Sequence, residues 1–336
     1  MTQDTLQFIP LHKTFGAQCV GVDFSKELPP EVVQQVKDGL HKYGLLTFRK
    51  TGLTDENFVK FGQHFGELCP NASADNRVKS KYIGDPSNIH RDGTVVQKGE
   101  LQYFIGKATG IFHVDKSYDP RRVRYTTLKC TVPVPAGTGG ATEFADSRTA
   151  YDDLDEETKQ YIQDKVGAHS IFESRRKAAP WLKTFQMLDP NDFPFGKFPV
   201  VETQPQTGRK DLYLAGHLHH IEGMDQEEST KLIEKLFNHA TQPKYVHKVN
   251  YEEPGDFVIW DNLAVLHRAG GGSYVGIHPR DVRNLTIYDN SDGEWGFNDR
   301  NQERIDPMKY IRAAHEKAFA GDSTANDFNN EILDYD

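Results

Sequence analysis

Tyr125-Thr126-Thr127-Leu128-Lys129-Cys130-Thr131-Val132-Pro133-Val134 runs into Pro135-Ala136-Gly137-Thr138-Gly139-Gly140 and leaves through Ala141-Thr142-Glu143-Phe144-Ala145. The first run is rich in β-branched and apolar side chains, the middle piece is made of turn formers, and the third returns to strand-like residues. This is strand, wide turn, strand. Further short strands are expected at Leu45–Phe48, Tyr245–Val249, Phe257–Trp260 and Leu285–Tyr288. Strands of this length gathered from both halves of a chain predict a single domain that is mainly β at its centre, with flanking helices.

The helices are read from spacing and caps. Val32, Val33, Val36, Leu40 and Tyr43 recur at helical intervals behind Pro29-Pro30, and Gly44 closes the segment. Thr54 is a good N-cap for a second helix with Phe58, Phe61 and Phe65 on one face, although Asn57 stands where a full capping box has a glutamate. Residues 69–107 are irregular and rich in turn formers. An insert over about 155–235 mixes helices (Glu156–Val166, Glu227–Leu236) with loops, and Phe193-Pro194-Phe195-Gly196-Lys197-Phe198-Pro199 within it resists regular structure. The domain is expected to span 1–290. A polar extension follows over 291–336, with one helix at Pro307–Phe319 and a loose polar end from Ala325.

The 336 residues carry 40 basic and 49 acidic side chains, a net charge of −9. That balance speaks against nucleic acid as a bulk electrostatic partner. Arg121-Arg122 and Arg175-Arg176-Lys177 are the basic clusters, and both read as solvated surface. Cys19, Cys69 and Cys130 are too few and too scattered for a disulfide framework, which fits a reducing compartment. The start lacks a basic and then apolar leader, and no run is apolar and long enough for a bilayer. The expectation is a cytoplasmic protein with a small-molecule substrate, no nucleic acid and no membrane, with homo-oligomerisation left open.

Upstream of the first strand lies Ile111-Phe112-His113-Val114-Asp115, and downstream Trp260-Asp261-Asn262 leads on to His267. Residues i and i+2 of an extended segment point the same way, so His113 and Asp115 can reach one ion. With His267 arriving from elsewhere in the fold, they are the ingredients of a two-His-one-carboxylate Fe(II) site with open positions. Alone, a His-x-Asp string is more often a structural hydrogen-bonded pair. His217, His219 and His220 form a second histidine group, read as packing.

In chain order the sequence carries Gly21-Val22-Asp23, Tyr43-Gly44-Leu45-Leu46-Thr47-Phe48-Arg49, Phe65-Gly66-Glu67-Leu68 and His113-Val114-Asp115-Lys116-Ser117-Tyr118. Gly139-Gly140-Ala141-Thr142-Glu143-Phe144, Ala150-Tyr151-Asp152 and Leu212-Tyr213-Leu214-Ala215-Gly216-His217 follow. The last blocks are His220-Ile221-Glu222-Gly223-Met224 and Pro254-Gly255-Asp256-Phe257-Val258-Ile259-Trp260-Asp261-Asn262. Together these blocks resemble the TauD/TfdA group of Fe(II)- and 2-oxoglutarate-dependent dioxygenases, in appearance closest to fungal members. The resemblance covers about residues 14–290. It implies a distorted double-stranded β-helix (a jelly roll, cupin-like) and His113, Asp115 and His267 as metal ligands. The cofactors implied are Fe(II), 2-oxoglutarate as co-substrate and O2.

The same resemblance implies a co-substrate arginine a dozen or so residues beyond the second histidine. Arg280 lies thirteen beyond His267 and Arg283 sixteen, and aligning Leu285-Thr286-Ile287 with the family strand favours Arg280. Such an arginine would hold the far carboxylate of 2-oxoglutarate as a fixed fork, backed by the hydroxyl of Thr142. The activity implied is decarboxylation of 2-oxoglutarate to succinate and CO2, coupled to hydroxylation, desaturation or cyclisation of a small organic metabolite. The alternatives are a non-catalytic jelly-roll binding protein and a metal-dependent hydrolase on the same ligands.

Four residues past the co-substrate arginine, taurine-type members carry a second arginine, and this chain has Asn284. A neutral amide replaces a charged fork there, so a small organic acid or related metabolite is expected rather than a sulfonate. His90, Lys116, Tyr118, Arg283 and Asn284 are the candidate substrate contacts.

Overall fold

The computed structural model describes residues 5–71 and 77–320. The larger of its sheets has the order β1 (Gln7–Pro10), β2 (Ala17–Val20), β3 (Leu45–Phe48), β12 (Phe257–Asp261), β4 (Val123–Val132), β14 (Asp281–Tyr288). A second sheet has the order β11 (Val246–Val249), β5 (Thr142–Asp146), β13 (Val265–Ala269). The strand–turn–strand of 125–145 is therefore not a hairpin. β4 and β5 belong to different sheets, and the glycine-rich turn carries the chain from one to the other.

Strand alternation explains how the layers stack. On β12, Val258 and Trp260 face the second sheet and meet Phe144, Val249 and Val265. Phe257 and Ile259 face the other way, into a cluster with α1 (Pro30–Tyr43) and α2 (Asp55–Gln63) through Val33, Val36, Leu40, Phe58 and Phe61. All five β12 residues are buried, as a central strand covered on both faces requires. Gly44 ends α1 at φ 73°, its N–H bonded to Leu40 O. A Cβ there would also come within 2.9 Å of Ala264, so both conformation and space call for glycine. Thr54 caps α2 by accepting from the Asn57 N–H.

The insert packs against the outer face of the second sheet. It contains a sheet of β10 (Leu218–Ile221), β6 (Val166–His169) and β7 (Gly196–Pro199), and a pair of β8 (Val201–Thr203) and β9 (Lys210–Leu212). Its helices are α4 (Ser147–Asp152), α5 (Glu156–Ile162), α6 (Ile171–Ala178), α7 (Lys183–Gln186) and α8 (Gln226–Ala240). The Pro-Phe piece expected to be irregular supplies β7, because Phe198 is fully buried and its backbone pairs with β6. The helix expected to reach Val166 stops at Ile162, and Val166 opens β6 instead. Within 69–107, Leu101–Lys107 forms α3.

β14 begins four residues before the apolar run that announced it, because Asp281 and Arg283 are buried in an ion network that hydropathy does not register. The chain after residue 290 folds back: on α9 (Pro307–Ala318), Ile311 and Ala314 pack with Phe172 and Phe185. The loose end expected from Ala325 lies outside the described residues. Among the described residues, no helix is long and apolar enough to cross a membrane, and the three cysteines are buried free thiols.

Candidate metal and co-substrate site

His113 and His267 face one another as a β-bridge, each N–H donating to the other's carbonyl at 2.9 Å. The segment carrying His113 thus meets β13 at a single bridge, and β13 is registered on β5 with His267 opposite Phe144. Backbone hydrogen bonds therefore set the separation of the two imidazoles. Asp115 is fixed by Asn262, whose Oδ1 accepts the Asp115 N–H at 3.0 Å while its Nδ2 donates to Arg124 O and Thr126 Oγ1. Asn262 is fully buried. Its neighbour Asp261 accepts from Arg124 and from Gln204 Nε2. The Trp-Asp-Asn block thus clamps the ligand segment, a task its spacing did not reveal.

The ligand atoms of His113, Asp115 and His267 all lie within 4.8 Å of one another, and no other group of three metal-ligating side chains occurs among the described residues. Asp115 Oδ2 is 3.4 Å from His267 Nε2, and Oδ1 is 3.9 Å from His113 Nε2. His113 and Asp115 have the protonation a divalent cation needs. His113 Nδ1 lies 2.7 Å from Ile111 O, which can only accept, so the proton sits there and Nε2 offers a lone pair. Burial, and then His267, push the His113 imidazolium down to about 4, so the ring is neutral at pH 7. Burial alone would raise the Asp115 carboxyl, but His267 and His113 outweigh it and hold the group below the ordinary range, ionised. Asp115 Oδ2 is buried without a hydrogen-bond partner, a state a bound cation would relieve. These three residues fit a metal ion.

Arg280 and Thr142 meet across Tyr251. Thr142 Oγ1 is 3.0 Å from the Tyr251 hydroxyl, and the Arg280 guanidinium lies 5.6 Å from the same ring. Thr142 is on the same strand face as Phe144, whose ring stacks on His267, so hydroxyl and metal ligand share one wall. Arg280 Nε donates to Gly140 O, and Arg280 pairs with no carboxylate among the described residues. Arg283 is in the opposite state. It is bonded to Asp281 and Asp85, and Arg77 joins both acids at 3.0 and 2.9 Å. Its NH1 and NH2 donors are committed inside the protein. Tyr251, in the β11–β12 connection, carried no signal in the sequence.

The other candidates divide. His90 Nε2 pairs with Glu100 at 2.7 Å, and no hydrogen bond, ion pair or ring contact joins it to the triad. Lys116 follows Asp115 in a left-handed conformation, φ 51°, with Nζ buried 3.2 Å from Cys69 Sγ and 3.4 Å from Asn71 Oδ1. Asn284 Oδ1 accepts from Asn71 Nδ2, so Asn284 joins the same polar chain. Tyr118 lies edge-on to His217 at 4.9 Å, and His217 lies 5.5 Å from His113. His219 and His220 bond to one another, apart from the triad. The basic clusters are solvated only in part, with Arg176 and Lys177 reaching solvent. Arg122 is fully buried between Glu202 and Asp289, and Arg175 turns its Nε inward, where it is buried.

The family model for "Taurine catabolism dioxygenase TauD, TfdA family" matches residues 7–286. The alpha-ketoglutarate-dependent 2,4-dichlorophenoxyacetate dioxygenase of Burkholderia sp. (strain RASC) is 32% identical over 82% of this chain and 92% of its own length. The (S)-phenoxypropionate/alpha-ketoglutarate-dioxygenase of Sphingobium herbicidovorans is 31% identical over 77% of this chain and 88% of its own. Relatives at this level of similarity are bacterial, against the expected lean toward fungal members. The solved structure of AAD-2 in complex with Mn(II) and N-oxalylglycine superposes with a TM-score of 0.78 at 31% identity, over 86% of this chain and 99% of that one. The fold is the cupin-like double-stranded β-helix of such dioxygenases. From the match along the chain and these identities, this protein belongs to the TauD/TfdA family of Fe(II)- and 2-oxoglutarate-dependent dioxygenases.

Proposed function

We propose that His113, Asp115 and His267 hold the iron, that Arg280 with Thr142 holds the far carboxylate of 2-oxoglutarate, and that the oxidised substrate is a small organic acid. The observation that carries this reading is the convergence of three ligand atoms within 4.8 Å, with an arginine free of internal acids on the adjoining wall. Fe(II) bound there would supply oxygen activation, coupling loss of CO2 from 2-oxoglutarate to oxidation of the substrate. The chain's residues do the rest. The ionised Asp115 carboxylate offsets one of the metal's two positive charges and leaves the other to share with an anionic co-substrate. The Ile111 carbonyl keeps the His113 ring in its ligating tautomer. Tyr251 orients the Thr142 hydroxyl, and Phe144 and Trp260 wall His267 off from water. The relatives named for aryloxyalkanoates support a carboxylate substrate, and the neutral amide at Asn284 offers no charged fork for a sulfonate.

Succinate release from 2-oxoglutarate under air, with and without Fe(II), tests the reading across small carboxylic acids, amino acids and purines, with taurine as comparison. Iron-dependent succinate driven by an acid is the expected result. Taurine matching the best acid would defeat the substrate assignment.

A further inference from the structure

Four buried arginines in this protein each face an acid: Arg122 with Glu202 and Asp289, Arg124 with Asp261, Arg148 with Asp146, and Arg283 with Asp281 and Asp85. That is the physical norm, because a guanidinium removed from water is unfavourable unless an anion and hydrogen bonds replace the solvent. Arg175 breaks the pattern. It is partly buried, its Nε is fully buried without a partner, and its one side-chain hydrogen bond is a 3.4 Å contact from NH1 to Ser174 Oγ. No carboxylate pairs with it among the described residues.

Its place in the fold is specific. The chain at 216–218 is pinned between the metal-ligand segment and α6: Gly216 N donates to Phe112 O, Ser170 N donates to His217 O, and Lys177 Nζ donates to Leu218 O. The His217 ring stands between His113 and Tyr118, 5.5 and 4.9 Å from them, with Ser117 Oγ 3.3 Å from its Nδ1. Arg175 shares a face of α6 with Phe172 and Ala179, the cluster against which Tyr118 packs. Tyr118 and then His217 lead from that face to His113. On the opposite wall the other cations are occupied: Lys116 by Cys69 and Asn71, Arg283 by its acids.

We propose that Arg175 is the anchor for the anionic head of the primary substrate, a small organic carboxylate that enters between α6 and the metal, beside Tyr118 and His217. This rests on the assignment above and names the residue that selects within it. A carboxylate presents two coplanar oxygens that match the guanidinium fork, and burial strengthens that pairing. The anchor stands on the insert's α6, whereas the co-substrate arginine stands beside β14, so the two carboxylates would be held from different walls.

The test uses the full chain, with 2,4-dichlorophenoxyacetate, phenoxyacetate and the uncharged phenoxyacetamide as probes. Arg175→Gln should raise the KM for the acids about ten- to a hundredfold while leaving the 2-oxoglutarate KM within about twofold, and should erase the preference for acid over amide. Arg175→Lys, which keeps the charge without the fork, should fall between, and it keeps the test open if the glutamine variant folds poorly. Arg176→Gln is the control, since Arg176 is half-exposed, 4.0 Å from Asp189. Equilibrium dialysis of phenoxyacetate against metal-free protein gives a readout without turnover, and Arg175→Gln should weaken that binding by a similar factor. Unchanged acid binding in Arg175→Gln, a rise in the 2-oxoglutarate constant instead, or no binding of either acid to the wild-type protein would overturn the proposal. The broader reading fails separately: iron-dependent succinate formation in the wild type stands or falls on its own.

Discussion

The metal wall and the anion walls of this site are built on different principles. His113 and His267 are placed by a backbone bridge, and Asp115 by a buried amide that grips its N–H. Arg280 and Arg175 carry their charge on long side chains, and what marks them is that no acid among the described residues pairs with them. Arg283, three residues from Arg280, shows the contrast over a short stretch of chain, because its NH1 and NH2 donors are used up by Asp281 and Asp85. Chelating geometry is thus set by the strand ladder, whereas affinity for anions depends on which cations the fold leaves unpaired.

The strongest test removes the metal wall. His113→Ala, Asp115→Ala and His267→Ala should each lower turnover by at least about a thousandfold while leaving far-UV circular dichroism and the thermal midpoint close to wild type. The folded state should survive because the positions are held by backbone bonds that alanine keeps. Near-normal turnover with stoichiometric iron in any one of them would remove that residue from the ligand set.

Next comes the contrast between Arg280 and Arg283. Arg280→Leu should weaken 2-oxoglutarate by roughly 30-fold to several thousandfold, the cost of losing a charge-assisted contact in a desolvated site, with stability little changed. Arg283→Leu should do the reverse. It leaves Asp281 and Asp85 with Arg77 alone, so stability should fall by about 1–3 kcal/mol with the 2-oxoglutarate constant unchanged. Denaturant melts beside co-substrate titrations read both, and an exchange of the two phenotypes would move the assignment by three residues.

The smallest effect is expected at the hydroxyl. Thr142→Val keeps the β-branched shape and removes one neutral hydrogen bond, worth about 1 kcal/mol or roughly fivefold in the 2-oxoglutarate constant. A loss as large as that of Arg280→Leu would show that hydroxyl and guanidinium act as one unit through Tyr251.

Much of this was legible in the residues. The period-2 and 3.6 patterns located most strands of the two central sheets and the longest helices, because burial of one face leaves that mark on any sequence. The His113–Asp115 spacing was legible because two residues apart on a strand means the same side. What patterning misses is burial of polar groups. Asp281 and Arg283 hid the first half of β14, and Asn262 hid its role because a buried amide is recognisable only by its partners.

The sequence by itself determined the ligand types, their order, the helix caps and the family, since these depend on local chemistry and on blocks read in order. Only the tertiary structure decided that the glycine-rich turn joins two sheets rather than two strands of one. Only the structure likewise separated Arg280 and Arg175 from Arg283 and Arg122. Arginine carries its charge in every environment, so the sequence cannot say whether that charge is answered from within. That depends on whether a carboxylate far along the chain arrives beside it, and packing alone brings the two together.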